Sequence, residues 1–374
     1  MRFELDEYLK ELETLVNTDS GSRVEGGPGL IADYFEEKYR ALGLDIKREA
    51  GPEGIGPFME IRNKKEKTDV LFLGHMDTVF PKGEAAKRPF RIEGNLAYGP
   101  GVMDMKAGLL FIYHAVKNLV ESGTDLGFCV ALNSDEEISS VHSQKRIQEL
   151  ASQAKYTFVL EPGRKNGAYV YERKGLARYK MTVKGIAAHA GVAPWDGASA
   201  VNEAARAVLK MEGLNHYEIG TSVNVGKISG GTTANVVCDH VEAMIDTRFE
   251  TIEENQKIEN TFREIMENPF DRRTSITIER EGFRPPMRKT EKTEKLMALM
   301  EEQGKEMGME ILWAKTGGGS DGNFAAFAGS TVIDGAGPAG DGAHSQNETL
   351  QIDTIRPRFE LLFKTLAKLS EEKE

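Results

Sequence analysis

The sequence predicts an α/β protein with a central, mostly parallel sheet, into which a second domain of ferredoxin-like order is inserted. Three observations carry this reading. Helix and strand periodicities alternate through the first 170 residues. Short unbroken apolar runs such as Val70-Leu71-Phe72-Leu73 mark strands buried on both faces, as parallel sheets require. From about residue 174 the order becomes β-α-β-β-α-β.

The elements follow in chain order. Residues 5–16 set Leu5, Tyr8, Leu9, Leu12 and Leu15 on one helical face. Residues 28–42 do the same with Ile31, Phe35 and Leu42, and Gly43 closes that helix. After the strand at 70–73, residues 107–121 place Leu109, Ile112, Val116 and Leu119 at helical spacing and end at Gly123. Residues 126–132 and 156–160 are further apolar strands. The inserted domain spans 174–285. It reads as a strand at 176–184, a helix at 198–211, strands at 221–229 and 235–248, a helix at 252–266 and a strand at 274–281. Pro285-Pro286 marks its exit. A helix at 291–303, a Gly-rich loop at 317–322, a strand at 331–334 and a C-terminal helix complete the first domain, which covers 1–173 and 286–374.

Bulk properties narrow the function. A chain of 374 residues is long enough for two domains, and 40% apolar residues can fill their cores. A net charge of −11 argues against nucleic acid, which needs clustered Lys and Arg. No apolar run approaches the roughly 20 residues of a membrane span. The start, Met1-Arg2-Phe3-Glu4-Leu5-Asp6-Glu7, is acidic and lacks the apolar segment of a signal peptide. Cys129 and Cys238 each sit in an apolar run and read as buried free thiols. These points predict a cytoplasmic protein.

Chemistry-bearing residues gather at strand ends. His75 in Gly74-His75-Met76-Asp77-Thr78 directly follows a buried strand, where open α/β sheets place their ligands. Asp77, two residues on, suits a carboxylate partner that orients a metal-bound imidazole; alone, the pair reads equally well as a capped turn. Gly99-Pro100-Gly101-Val102-Met103-Asp104 superficially resembles a dinucleotide loop. Asp104 stands where that fingerprint needs a third glycine, and its charge would repel a pyrophosphate. Asp104 instead precedes the helix at 107–121, where a carboxylate stays ionised and can bridge two cations. Asp135-Glu136-Glu137 and Glu161 also follow apolar strands, and His344 lies in a Gly-rich loop past the last strand.

Taken together, two histidines and several carboxylates suit zinc, and cobalt or manganese equally. Charge favours two ions. Asp104, Glu137 and Glu161 with one hydroxide balance the +4 of two divalent cations, whereas a single ion leaves the site negative. Adjacent Glu136 and Glu137 can then divide proton handling from metal binding.

The set GHMDTV, GPGVMDMKAG, NSDEE, LEPG, AAHAG, GTTANVV, GGGSDGN and the late His344 resembles the zinc-dependent aminoacylase/carboxypeptidase metallopeptidase family. The likeness is greatest to its glutamate carboxypeptidase branch, the folate-cleaving type, and runs over nearly the whole chain. The resemblance implies a phosphorylase/hydrolase-like catalytic domain with two Zn2+ per subunit and an inserted lid and dimerisation domain. It implies one ion on His75, Asp104 and Glu161, and a second on Asp104, Glu137 and His344. Glu136 would be the general base, and Asp77 the partner of His75. From the lid, His189 would reach across a homodimer to the oxyanion, Asn235 would bind substrate, and Arg248 would grip a terminal carboxylate. Gly317 and Gly318 would offer backbone N–H donors near that carboxylate.

The implied activity is hydrolysis of a peptide-like amide in a small substrate, releasing C-terminal glutamate or a similar residue. An N-acyl amino acid deacylase or dipeptidase is the alternative, and an inactive metal-binding scaffold a remote one. A two-metal phosphoesterase would want a cationic cluster that this acidic chain lacks. Family members often carry Gly-Ser after the paired acids; here the run is Glu137-Ile138-Ser139-Ser140, which bears on the local turn. His114, His142, His216 and His240 match no motif and read as structural or solvent-exposed.

Overall fold

Val70 and Phe72 point into one apolar cluster and Leu71 and Leu73 into another, each at most 1% exposed. The strand Thr68–His75 is therefore buried on both faces, as its unbroken apolar run predicts. The computed structural model describes residues 2–63 and 67–371. Met1 and residues 372–374, at the ends of the expected catalytic domain, lie outside the described residues, as do 64–66. The chain divides into two units, one of Met1–Glu172, Met287–Thr316 and Ser320–Glu374, the other of Arg173–Pro286 with Gly317–Gly319.

In the first unit a six-stranded sheet runs in the order Asp45–Glu49, Phe58–Arg62, Phe128–Asn133, Thr68–His75, Ala154–Val159, Thr331–Ile333. The last four strands are parallel; Phe58–Arg62 pairs antiparallel with the first of them and with the edge strand Asp45–Glu49. Helices Leu5–Val16, Gly27–Ala41, Ala107–Glu121, Glu291–Glu306 and Ile355–Glu371 contribute to the cluster on one face. Gln144–Ala151 and Gly322–Phe327 contribute to the cluster on the other. Fully burying one side chain such as Phe72 stabilises by about 1.5–3 kcal/mol. Register aligns the strand ends: His75 pairs with Asn133, and Leu73 with Val159.

A small antiparallel sheet in the same unit was not expected from the sequence. Its strands are Gly340–Asp341, Thr349–Gln351, Leu96–Tyr98 and Arg91–Glu93, in that order. Segments of two or three residues carry no readable periodicity.

The second unit has strand Gly175–Lys184, helix Ala200–Glu212, strands Ser222–Gly230 and His240–Phe249, helix Ile252–Glu267 and strand Ser275–Arg284. Its sheet is antiparallel, in the order 222–230, 240–249, 175–184, 275–284, with both helices packed on a core around Met181, Ile245 and Phe262. One expectation needs correction. The strand read at 235–248 begins only at His240. Residues 235–239 bond instead to the loop at 185–200: Ala190 N–H donates to Asn235 O, Val237 N–H to Ala188 O and Ala200 N–H to Cys238 O. Cys238 is consequently half-buried rather than buried, whereas Cys129 is buried; both are free thiols. No described helix is long and apolar enough to cross a membrane.

Candidate metal centre

The parallel strands of the first unit deliver their C-terminal residues to one place. His75 ends its strand, Glu136 and Glu137 follow Phe128–Asn133, and Glu161 follows Ala154–Val159. Asp104 and His344 arrive from loops that leave the small sheet. His75 Nε2 lies 3.2 Å from Asp104 Oδ1 and 3.6 Å from Glu161 Oε1. His344 Nε2 lies 3.1 Å from Asp104 Oδ2 and 3.1 Å from Glu137 Oε2. Asp104 thus presents one oxygen to each of two His–Glu pairs. Glu136 also comes close: one ligand atom each of His75, Glu136 and Glu161 lie within 4.8 Å of one another, as do those of His75, Asp104 and Glu137.

The spacing of the donor atoms fits cations. Tetrahedral zinc with bonds of about 2.0–2.1 Å sets neighbouring donor atoms roughly 3.3 Å apart. The four spacings above, 3.1 to 3.6 Å, bracket that value. Glu137 Oε1 is buried without a hydrogen-bond partner. Such an orphaned acceptor is costly unless something positive meets it.

Electrostatics point the same way. Burial opposes a charged His75, yet hydrogen bonds to Asp104, Asp77 and Glu161 push its pKa well above the ordinary 6.5. Hydrogen bonds to Asp104 and Glu137 raise His344 to about 11. Burial, then the charge of Asp104, raises Glu137 to about 7 and also lifts Glu161. Asp104 is held low despite burial, by His344 and His75. The two histidines and the two glutamates are thus pushed toward their protonated forms around an ionised Asp104. The cluster has more negative charge than its own histidines balance, which is the condition two divalent cations relieve.

Supporting contacts refine the role read for Asp77. Its backbone oxygen lies 2.9 Å from His75 Nδ1, closer than its carboxylate at 3.4 Å. The carboxylate accepts from Glu136 N–H and Glu137 N–H at 3.2 Å each and from Ser22 Oγ–H at 2.7 Å. It is fully buried. Asp77 therefore fixes the backbone of both adjacent glutamates as well as lying against His75. Ser139 and Ser140 have φ of +78° and +50°, so this turn holds side-chain-bearing residues in the left-handed region that glycine favours. His344 is also left-handed, at φ +63°.

Sequence reading missed three buried residues here: Ser22, Lys106 and Glu348. Glu348 accepts from the N–H groups of Gly101, Met103 and Asp104. Lys106 Nζ donates to the carbonyls of Thr18 and Pro100, and burial lowers its pKa to about 8. None of the three lies at the end of an apolar strand, the signal that found the others. Of the unassigned histidines, His114 is buried against Glu11, and His142, His216 and His240 are exposed.

The remaining predicted site residues belong to the second unit. His189 is exposed and its Nδ1 accepts from Gly191 N–H. It bridges to Val236, next to the exposed Asn235, whose Oδ1 accepts from Thr233 Oγ1–H. Arg248 donates to both carboxylate oxygens of Asp246 and, at 2.9 Å, to Gly317 O. Arg173 donates to Gly318 O at 3.1 Å. Two arginines thus tie down the carbonyl side of the glycine loop.

Comparison with known proteins places these features. Residues 71–368 match the peptidase family M20/M25/M40. Carboxypeptidase G2 of Pseudomonas sp. strain RS-16 is 31% identical over 365 residues, covering 94% of this chain and 86% of that protein. A succinyl-diaminopimelate desuccinylase of Hydrogenovibrio crunogenus is 26% identical over 387 residues, covering 98% and 99%. In fold, the crystal structure of a tripeptidase from Staphylococcus aureus superposes with a TM-score of 0.82 at 22% identity, covering 99% of each chain.

Proposed function

Because this chain belongs to peptidase family M20/M25/M40 and is a metallohydrolase of peptide-like amide bonds, we propose that it is a two-metal carboxypeptidase releasing C-terminal glutamate or a similar residue. The observation that carries the two-metal part is Asp104, whose two oxygens face two separate His–Glu pairs. His75, Asp104 and Glu161 would hold one ion, and Asp104, Glu137 and His344 the other. Two zinc ions held there would supply Lewis acidity toward the scissile carbonyl and an acidified water; cobalt or manganese suits the same donors.

The chain's own residues then divide the work. Glu136, its N–H pinned by Asp77, takes the proton of the attacking water and returns it to the leaving amine. His189 stabilises the oxyanion, serving the neighbouring subunit of a homodimer. Arg248 pairs with the terminal carboxylate, with Asn235, Gly317 and Gly318 supplying further hydrogen bonds. The homodimer forms through the second unit. Its strand Ser222–Gly230 lies at a sheet edge with Ile228 exposed, and helix Ala200–Glu212 exposes Val201 and Leu209. The carboxypeptidase reading draws support from carboxypeptidase G2 at 31% identity, and the glutamate preference from the motif resemblance alone. A deacylase of N-acyl amino acids is the second reading, favoured by the desuccinylase relative.

A hydrolysis panel on the zinc-loaded protein tests this. Peptide-like and N-acyl substrates ending in glutamate are set against N-acyl neutral amino acids, dipeptides and phosphoesters. Glutamate release well above the rest is expected. Preferential loss of acyl groups irrespective of the amino acid would favour the second reading, and phosphoester turnover alone would overturn both. Glu136→Ala is expected to abolish turnover while metal content stays at two per chain; an active variant would remove Glu136 from its role.

A further inference from the structure

The loops that carry Asp104 and His344 leave the same end of the same small sheet. Thr349 pairs with Tyr98 at that end. Beyond Tyr98 the chain runs through Gly99 and Gly101 to Asp104; beyond Thr349, followed backwards, it runs through Glu348 to His344. Glu348 is the first residue past the pairing on its side, and it is 1% exposed. Its side chain crosses to the other loop. Oε2 accepts from Gly101 N–H at 2.9 Å, and Oε1 from Met103 N–H at 2.9 Å and Asp104 N–H at 3.1 Å.

Three N–H groups converging on one carboxylate require a tight backbone concavity, and Gly101 makes it. Its φ is +72°, and a Cβ there would lie 2.7 Å from Thr78 Cγ2. With the carboxylate ionised, these bonds are charge-assisted and belong to the stronger class of hydrogen bond; burial and the charge of Asp104 push the Glu348 pKa up to about 7, and the three N–H groups oppose that rise. The bonds end on the backbone of Asp104 itself, the residue whose two oxygens face His75 and His344. Glu348 touches neither histidine in the contacts described above. It acts through the backbone of Asp104, and through its own place four residues after His344.

We propose that Glu348 is a positioning residue that locks the Asp104 loop to the His344 loop and so sets the register between the two halves of the metal centre. The inference rests on the metal-centre reading given above. Without the clamp, no backbone hydrogen bond of the Asp104 loop would end on the His344 loop beyond the strand pairing at Tyr98 and Thr349, and the His344–Asp104 side-chain contact alone would have to hold their register. The ion held by Asp104, Glu137 and His344 would suffer most, because its ligands come from both loops.

The test uses the full chain stripped of metal. Zn2+ is titrated in competition with a chromophoric chelator, and the thermal midpoint is recorded with and without Zn2+. Glu348→Ala should weaken one of the two binding steps by ~10- to 100-fold, the usual cost of losing a supporting partner of a metal ligand. The rise in midpoint on adding Zn2+ should shrink with it. Glu348→Gln keeps one acceptor oxygen and should fall between the wild type and Glu348→Ala. If Glu348→Ala does not fold, Glu348→Gln decides by the same two readouts. A lower metal-free midpoint with unchanged zinc affinities and an unchanged zinc-induced rise would overturn the proposal, leaving Glu348 a purely structural residue. A wild type that binds fewer than two ions would instead overturn the metal-centre reading beneath it.

Discussion

Asp77→Asn separates two jobs that one carboxylate can do. In the structure Asp77 Oδ1 accepts from Glu136 N–H, and Oδ2 accepts from Glu137 N–H and Ser22 Oγ–H. Asparagine offers one oxygen and one NH2 in the same space. Setting the oxygen at the Oδ2 position keeps two of the three bonds, so that orientation wins. The NH2 then faces Glu136 N–H, donor against donor. A fully buried amide left unpaired costs about 1–3 kcal/mol, and the displaced residue is the proposed general base. The expected result is a kcat lower by ~10- to 100-fold, equivalent to about 1.4–2.7 kcal/mol of transition-state stabilisation. KM should change little. Zinc affinity should also change little, because His75 Nδ1 lies nearest the backbone oxygen of Asp77, which the substitution leaves in place. The assay is steady-state kinetics at saturating zinc, with zinc affinity measured in parallel. A variant with full kcat but weakened zinc binding would refute the reasoning and return Asp77 to the single role of orienting His75.

Two further outcomes are expected. Arg248→Lys loses the planar fork that Asp246 and Gly317 O orient, and should raise KM by ~10-fold or more for substrates with a terminal carboxylate. Matched substrates with an amide in place of that carboxylate should be unaffected; an equal effect on both would deny the carboxylate contact. Away from the site, burial works against an ionised Glu11, yet His114 and Lys38 hold its pKa below the ordinary 4.5. A depressed carboxylate contributes stability that is present above that value and lost as pH falls from there through the lower folded-state value. Urea midpoints of the wild type should therefore fall below about pH 5 more steeply than those of Glu11→Gln. Parallel slopes would show that the pair adds nothing.

The parts of the protein legible in its sequence are those whose burial imposes a period. The helix at 5–16 and the strand around 70–73 are apolar because they face a core, so composition reveals them. The proposed ligands His75, Glu137 and Glu161 were legible for a related reason: each lies at or just past the end of an apolar strand, where a polar residue is conspicuous. The edge strand Asp45–Glu49 was not legible, since it buries little and four of its five residues are charged. The run Asn235-Val236-Val237-Cys238 misled in the opposite sense. Its β-branched residues suggest a strand, but its backbone groups bond to the neighbouring 185–200 loop. Glu348 left no local trace, because its meaning lies in three amides some 245 residues earlier in the chain. Asp77 was found, but the reach of its carboxylate to Glu136 and Glu137 depends on the parallel pairing of their strands.

The central claim is that Asp104 is shared between two cations. Anomalous scattering from a zinc-loaded crystal, collected either side of the zinc edge, tests it without reference to activity. Two peaks are expected, about 3.5–4 Å apart as in other two-metal hydrolases. One should lie among His75, Asp104 and Glu161, and the other among Asp104, Glu137 and His344. A single peak, or two peaks that do not flank the Asp104 carboxylate, would contradict the account.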